Sequence, residues 1–192
     1  MKPLDKEHLT NIPIVDMGDL LLRPVRYEDY KDMYDYGSDT EVTRHLAWNA
    51  YQAIDEAKRS VELVFLKRPE NDIPSAYAIF HKSDHKMIGT CDFFKMEWEK
   101  ERGEIGYVLH RNYWGRGYMT RVLGELIQFG FVYLQLRTID IRHHPDNIGS
   151  RRVIEKCGFR YVGDQYYPRF EQDIPSYELT KEEYEGRKSK KI

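Results

Sequence analysis

Three stretches of this sequence carry residue types at spacings that could do chemistry. The first is HRNYWGRGYMT, residues 110–120, where Gly115, Gly117, Arg111 and Arg116 stand directly ahead of a run with helical periodicity. The first N–H groups of a helix lack intrahelical partners and carry partial positive charge. Glycines, having no Cβ, let an anion approach them, and arginines add charge-assisted bonds. The stretch reads as a diphosphate cradle or, more plainly, as a tight strand-to-helix turn. No P-loop segment is present, and Met119 and Thr120 stand where a dinucleotide fingerprint needs its third glycine. The second stretch is GEIGYVLH, residues 103–110. Its Glu104 shares a strand face with Gly106 and Val108 by alternation, a position from which a carboxylate can accept a proton or hold an ion pair. The third is HPDNIGSRRVIEKCG, residues 144–158. Asn147 can cap the helix, Ser150 puts a hydroxyl on its first turn, and Gly149 costs that turn up to about 1 kcal/mol relative to alanine.

The elements that must position these residues are legible in outline. A strand near Leu20–Arg26 leads to a helix ending around Gly37, and AIDEAKRSVELVFLKR has helical spacing. SAYAIF and MIGTCDFFKM read as strands joined by the turn HKSDHK, and GEIGYVLH as a third. From Arg116 the apolar positions Met119, Val122, Leu123, Leu126, Ile127, Gly130, Phe131 and Leu134 follow a helical stripe. A strand (TIDIRHH), a helix (DNIGSRRVIEKCG) and two strands (FRYVGDQYY, PSYELT) close the chain. The expected fold is a mixed α/β domain around one sheet, an antiparallel meander followed by a strand–helix–strand–helix–strand unit. Residues 1–192 read as one domain, with 1–18 an N-terminal extension and 187–192 a frayed tail.

Bulk properties exclude several classes. With 192 residues, 41% hydrophobic and 14% aromatic, the chain can bury a core. Thirty basic against thirty-two acidic residues, a formal charge of -2, do not favour nucleic acid or an anionic membrane as partner. No apolar run reaches the ~20 residues of a membrane helix, and the charged first residues do not form a signal peptide. Cys91 and Cys157 form no framework, so a reducing cytoplasm is the expected compartment. His81 and His85 sit in a hairpin turn, where their spacing makes no metal face, so no metal is expected. His143 lies near the expected cleft, and Cys157 reads as core.

The combination GEIGYVLHRNYWGRGYMTRVLGELIQFGF, a strand, then HPDNIGSRRVIEKCGFRYVG resembles the GNAT acetyltransferase superfamily. Within it the chain is similar to the Rim-type ribosomal-protein N-terminal acetyltransferases, from LLLRPVRYEDY to SYELT. The resemblance implies a GNAT-like fold, a central, mostly antiparallel sheet with flanking helices, with acetyl-CoA as donor and an amine as acceptor. It implies that the backbone of Val108, Leu109 and His110 pairs with the pantetheine arm. The loop of Trp114, Gly115, Arg116, Gly117, Tyr118 and Met119 would receive the pyrophosphate, and Asn147 would bond the pantetheine or a catalytic backbone group. Asn112 stands where the family usually has Gln or Arg. The family's tyrosine seven residues after Asn147 is here Ile154. Ser150 matches the serine of the Rim-type branch, a candidate donor to the departing thiolate. Glu104 is the candidate for the amine's proton, directly or through water; Asp92 and Glu97 read as exposed strand-end residues. The expected acceptor is a protein N-terminal α-amine, such as that of a ribosomal protein. The alternatives are a small amine (polyamine or aminoglycoside) and a non-catalytic acyl-CoA-binding module. The chain would be a monomer or a homodimer.

Overall fold

The computed structural model describes residues 4–189. The chain runs through α1 (Lys6–Thr10), β1 (Val15–Asp16), β2 (Leu20–Pro24), α2 (Tyr30–Gly37), α3 (Thr40–Thr43) and α4 (Ile54–Ser60). There follow β3 (Tyr77–His81), β4 (Lys86–Glu97), β5 (Arg102–Leu109), α5 (Tyr118–Gln128) and β6 (Thr138–Arg142). It closes with α6 (Ile148–Lys156), β7 (Arg160–Tyr167), β8 (Gln172–Thr180) and α7 (Lys181–Ser189). The strands form one eight-stranded sheet in the order β1-β2-β3-β4-β5-β6-β8-β7.

Alternation along the strands divides the core between the two faces. Tyr77 and Ile79 of β3 join Cys91, Phe93 and Ile105 in a cluster covered by Val122, Leu123, Leu126 and Ile127 of α5 and by Ile154 of α6. Ala76, Ala78 and Met87 face the other way and pack on Met33 and Tyr36 of α2 and Val61 after α4. The expected α5 stripe is realised, its last turn widening into a π-turn at Phe129–Tyr133.

Both ends of the described chain are built into the fold. Within the N-terminal extension Leu9 of α1 is fully buried, and β1 adds an edge strand to β2. Residues 187–189, assigned to a frayed tail, belong to α7; residues 190–192 lie outside the described residues. Thr180 and Glu183 cap that helix reciprocally, Glu183 Oε2 accepting from the Thr180 N–H at 2.9 Å and Thr180 Oγ1 from the Glu183 N–H at 3.2 Å.

One joint in the sheet matters for function. β5 and β6 are parallel neighbours and pair only from Arg102↔Thr138 to Ile105↔Ile141. Beyond Ile105 the strands part, and β5 continues to Leu109 with a partner on its β4 side alone. This leaves unpaired backbone inside the molecule.

Candidate active site

The parted edge of β5 has a definite set of free groups. His110 N–H donates to the Ile88 carbonyl at 2.7 Å, on the β4 side. Antiparallel alternation then turns Val108 and Gly106 toward β4 as well, and turns Tyr107 and Leu109 toward the gap. The Leu109 carbonyl is already taken by the Trp114 indole N–H at 2.7 Å. The free edge is therefore the Tyr107 N–H and C=O and the Leu109 N–H. Of the three residues expected to pair with a ligand there, Val108 and His110 turn their backbone to β4 and Leu109 alone stands on the free edge; the His110 ring reaches Asp35 at 3.0 Å and accepts from the Asn112 N–H at 3.1 Å.

At the end of β5, a 3₁₀ turn at Arg111–Tyr113 leads into the glycine loop. Gly115 and Gly117 have φ of +75° and +76°, the left-handed region. A methyl group built on either meets no atom within 4 Å, so the space over the loop is open. Gly117 caps α5, whose first intrahelical bond from this end is Arg121 N–H to Gly117 carbonyl at 3.3 Å. The Tyr118, Met119 and Thr120 N–H groups thus point out of the helix end. The arginines contribute less than their positions in the sequence promised. Arg111 pairs with Asp39 at 3.0 Å, while Arg116 lies over the Tyr113 ring at 5.2 Å. Tyr107, Val108, Leu109, the loop from Trp114 and the start of α6 together line a cleft of about 420 Å³.

A second cavity of about 400 Å³ lies against the α2 and α4 side of β5. Its walls are aromatic, including Tyr36, Trp48, Phe94, Tyr167 and Phe170. Its charged groups come in pairs. Arg68 meets Asp92 at 2.5 Å, and Arg142 holds Glu104 with both oxygens, at 2.7 and 2.6 Å. Glu104 therefore faces the cavity as alternation required, buried and ion-paired, at the vertex where β5 and β6 separate. Asp92 is corrected from an exposed strand end to a buried mid-strand residue, because β4 runs on to Glu97. Across the cavity Arg169, in the β7–β8 hairpin, donates to the Ala47 carbonyl at 3.1 Å and to Asn49, bridging two loops; His144 stacks on His45 at 4.8 Å beside it.

The two cavities share His45, Leu46, Tyr107, Val108, Asn147 and Ser150 in their walls. At this junction Asn147 caps α6 by accepting from the Ser150 N–H at 3.0 Å. The Ser150 hydroxyl lies 2.8 Å from the Tyr107 hydroxyl. Burial pushes the Tyr107 phenol well above its ordinary range, which keeps it protonated. His143 is buried nearby; its Nδ1 bonds the His144 carbonyl at 2.8 Å, and burial pulls the imidazole below 6.5. Cys157 is half-buried, its thiol raised by burial to about 11, which suits packing better than nucleophilic attack.

Tyr107, Arg68 and Arg142 escaped the sequence reading. Tyr107 was within reach, since alternation opposes it to Glu104 and toward the α6 face. The arginines gave no local signal, because their partners lie 24 and 38 positions away along the chain.

Residues 19–160 match the family model of the acetyltransferase (GNAT) domain. The chain belongs to the GNAT acetyltransferase family. The N-acetyltransferase p20 of Bacillus licheniformis is 30% identical over 176 residues, covering 87% of this chain and 96% of that protein. RimL, a ribosomal-protein α-N-acetyltransferase solved with coenzyme A, superposes with a TM-score of 0.77 at 21% identity, over 89% of this chain and 99% of its own. The spermidine N-acetyltransferase of Vibrio cholerae, solved with CoA and spermine, gives 0.74 at 16% identity, over 86% and 98%. As a GNAT protein the chain is an acetyl-CoA-dependent N-acetyltransferase. Its free strand edge, open glycine loop and helix start fit that donor's amide arm and diphosphate. Among the described residues no helix is long and apolar enough to cross a membrane.

Proposed function

We propose that this acetyltransferase acts on a protein N-terminal α-amine. The supporting observation is the second cavity: aromatic walls and two carboxylates each matched by an arginine. Such a cavity suits one ammonium on a mostly uncharged body, which is what the first residues of a peptide offer. A polyamine brings several cations and would need carboxylates without arginine partners. The resemblance to RimL points the same way. A small-molecule monoamine is the second reading, favoured by the Arg169 bridge, which narrows the way in.

In this reading acetyl-CoA supplies an acetyl group activated as a thioester. Tyr107 and Leu109 would hold its amide arm by their free backbone groups, and the N–H groups of residues 117–120 its diphosphate. Ser150 would donate to sulfur. Tyr107, neutral and hydrogen-bonded behind it, supports that hydroxyl in place of the tyrosine missing at Ile154. Glu104 holds Arg142 across the vertex through both of its oxygens and so sets the cavity floor.

The test is to incubate the protein with acetyl-CoA and a host lysate depleted of small molecules, then map new acetyl groups by mass spectrometry. Labelled protein N-termini support the proposal. Label that forms only when small molecules are returned rejects it for the second reading.

A further inference from the structure

We propose that Asp92 binds the acceptor's ammonium group and takes its proton, through the carboxylate oxygen that faces the cavity beside Gly106. This deepens the N-acetyltransferase reading and rests on it. Asp92 is 7% exposed and lies in β4 directly opposite Gly106. Arg68 holds its Oδ2 at 2.5 Å and is itself anchored on the Phe93 carbonyl at 2.6 Å. The other oxygen, Oδ1, lies 3.8 Å from where a Cβ on residue 106 would sit. A Cβ there would also crowd the Phe94 ring at 3.2 Å, so glycine keeps that ring and this oxygen side by side in the cavity wall, next to Tyr107.

The competing bases are less available. Both Glu104 oxygens are bound by Arg142. His143 has its Nδ1 on the His144 carbonyl and its Nε2 3.4 Å from the Tyr177 hydroxyl. A second observation concerns Arg68, which also lines the cavity: its Nε is buried without a partner. An α-amine beside a peptide carbonyl would satisfy both members of the pair, the ammonium on Asp92 and the carbonyl on Arg68 Nε. Burial raises the Asp92 carboxyl against the pull of Arg68, which makes it a better proton acceptor. The other titratable groups around it are the Tyr36 phenol of α2, the Cys91 thiol beside it in β4, and the Glu104–Arg142 pair of β5 and β6.

The step balances as follows. One proton passes from the ammonium to Asp92, leaving a neutral amine. The amine nitrogen bonds the acetyl carbon as the carbon–sulfur bond breaks, sulfur leaving with the electron pair. The nitrogen's surplus proton goes to that sulfur by way of Ser150, and Asp92 returns its own proton to solvent.

The experiment uses the full chain with saturating acetyl-CoA and three probes: a tripeptide with a free α-amine, tyramine and spermine. It reads the pH profile of kcat/KM, the acetyl-CoA Kd, and the Asp92 carboxyl titration by ¹³C NMR with and without bound tripeptide. Asp92→Asn should lower kcat by about 10²–10⁴-fold and erase the acidic limb of the profile, with Kd for acetyl-CoA unchanged. Asp92→Glu should recover part of the rate, and bound tripeptide should move the Asp92 titration downward. Turnover near wild type in Asp92→Asn overturns the proposal, as does an acidic limb that survives there and vanishes in His143→Gln. Should Asp92→Asn fail to fold, the wild-type titration decides: a downward move supports the proposal, and an unmoved one overturns it. A chain that acetylates tyramine or spermine but neither the tripeptide nor a lysate N-terminus overturns the acceptor reading instead, and the Asp92 titration with that bound amine then decides for Asp92.

Discussion

At the scale of single residues, the Ser150–Tyr107 contact makes the sharpest claim. A hydrogen bond to a charged group is worth roughly 1.5–3 kcal/mol, so Ser150→Ala should slow turnover about 10- to 150-fold. Acetyl-CoA affinity should hold, and stopped-time thiol release with calorimetry separates the two effects. Unchanged turnover with a lowered melting temperature would make Ser150 purely a member of the helix start. His143 carries a different expectation. Burial holds its imidazole below 6.5, so the folded chain binds that proton less readily than the unfolded one. Its stability contribution is complete above the unfolded value and declines as pH falls toward the folded one. Melting temperature should therefore drop as pH falls below the ordinary imidazole value, and His143→Gln should flatten that part of the curve. A slope unaltered by the substitution would place the acid sensitivity elsewhere.

At the scale of elements, the glycine loop is where backbone geometry and ligand binding coincide. Acetyl-CoA should raise the melting temperature with concentration, because it binds only the folded chain. Gly117→Val should remove that rise. With φ at +76° the substitution should also cost the unliganded protein about 1–2 kcal/mol, seen as a lower denaturant midpoint. A full ligand-induced rise in this variant would move the diphosphate site away from the loop. The loop, α5 and the Asn147 cap were legible in the sequence because each depends on neighbours within a few residues. The TKEE signature of α7 was equally local and went unread. The gap between β5 and β6 was not legible, since register between strands 36 positions apart leaves no local mark. Asp92 was misplaced for a related reason: a polar residue among apolar ones reads as a strand end until its arginine is seen.

At the scale of the whole molecule, the Glu104–Arg142 pair ties β5 to β6 where the sheet begins to part. Glu104→Gln leaves a guanidinium without its carboxylate, and only 20% of that side chain is exposed. The cost should be about 3 kcal/mol, the low end for breaking a buried pair, read by urea unfolding. Turnover per folded molecule should fall less than in Asp92→Asn; the opposite ranking would return the proton step to Glu104. The sheet also supports the two cavities, whose shared wall at Tyr107, Val108, Asn147 and Ser150 has a consequence for the order of events. Neither chamber must empty for the other to fill, and among the described residues no activated nucleophile stands at the wall to carry an acetyl group between visits. Double-reciprocal plots at several fixed donor concentrations should therefore intersect, and parallel lines would reveal a covalent relay. A single inhibitor joining a donor thioether to a short peptide through the wall should gain affinity over its two halves, as a tether does when the gap it must cross is short.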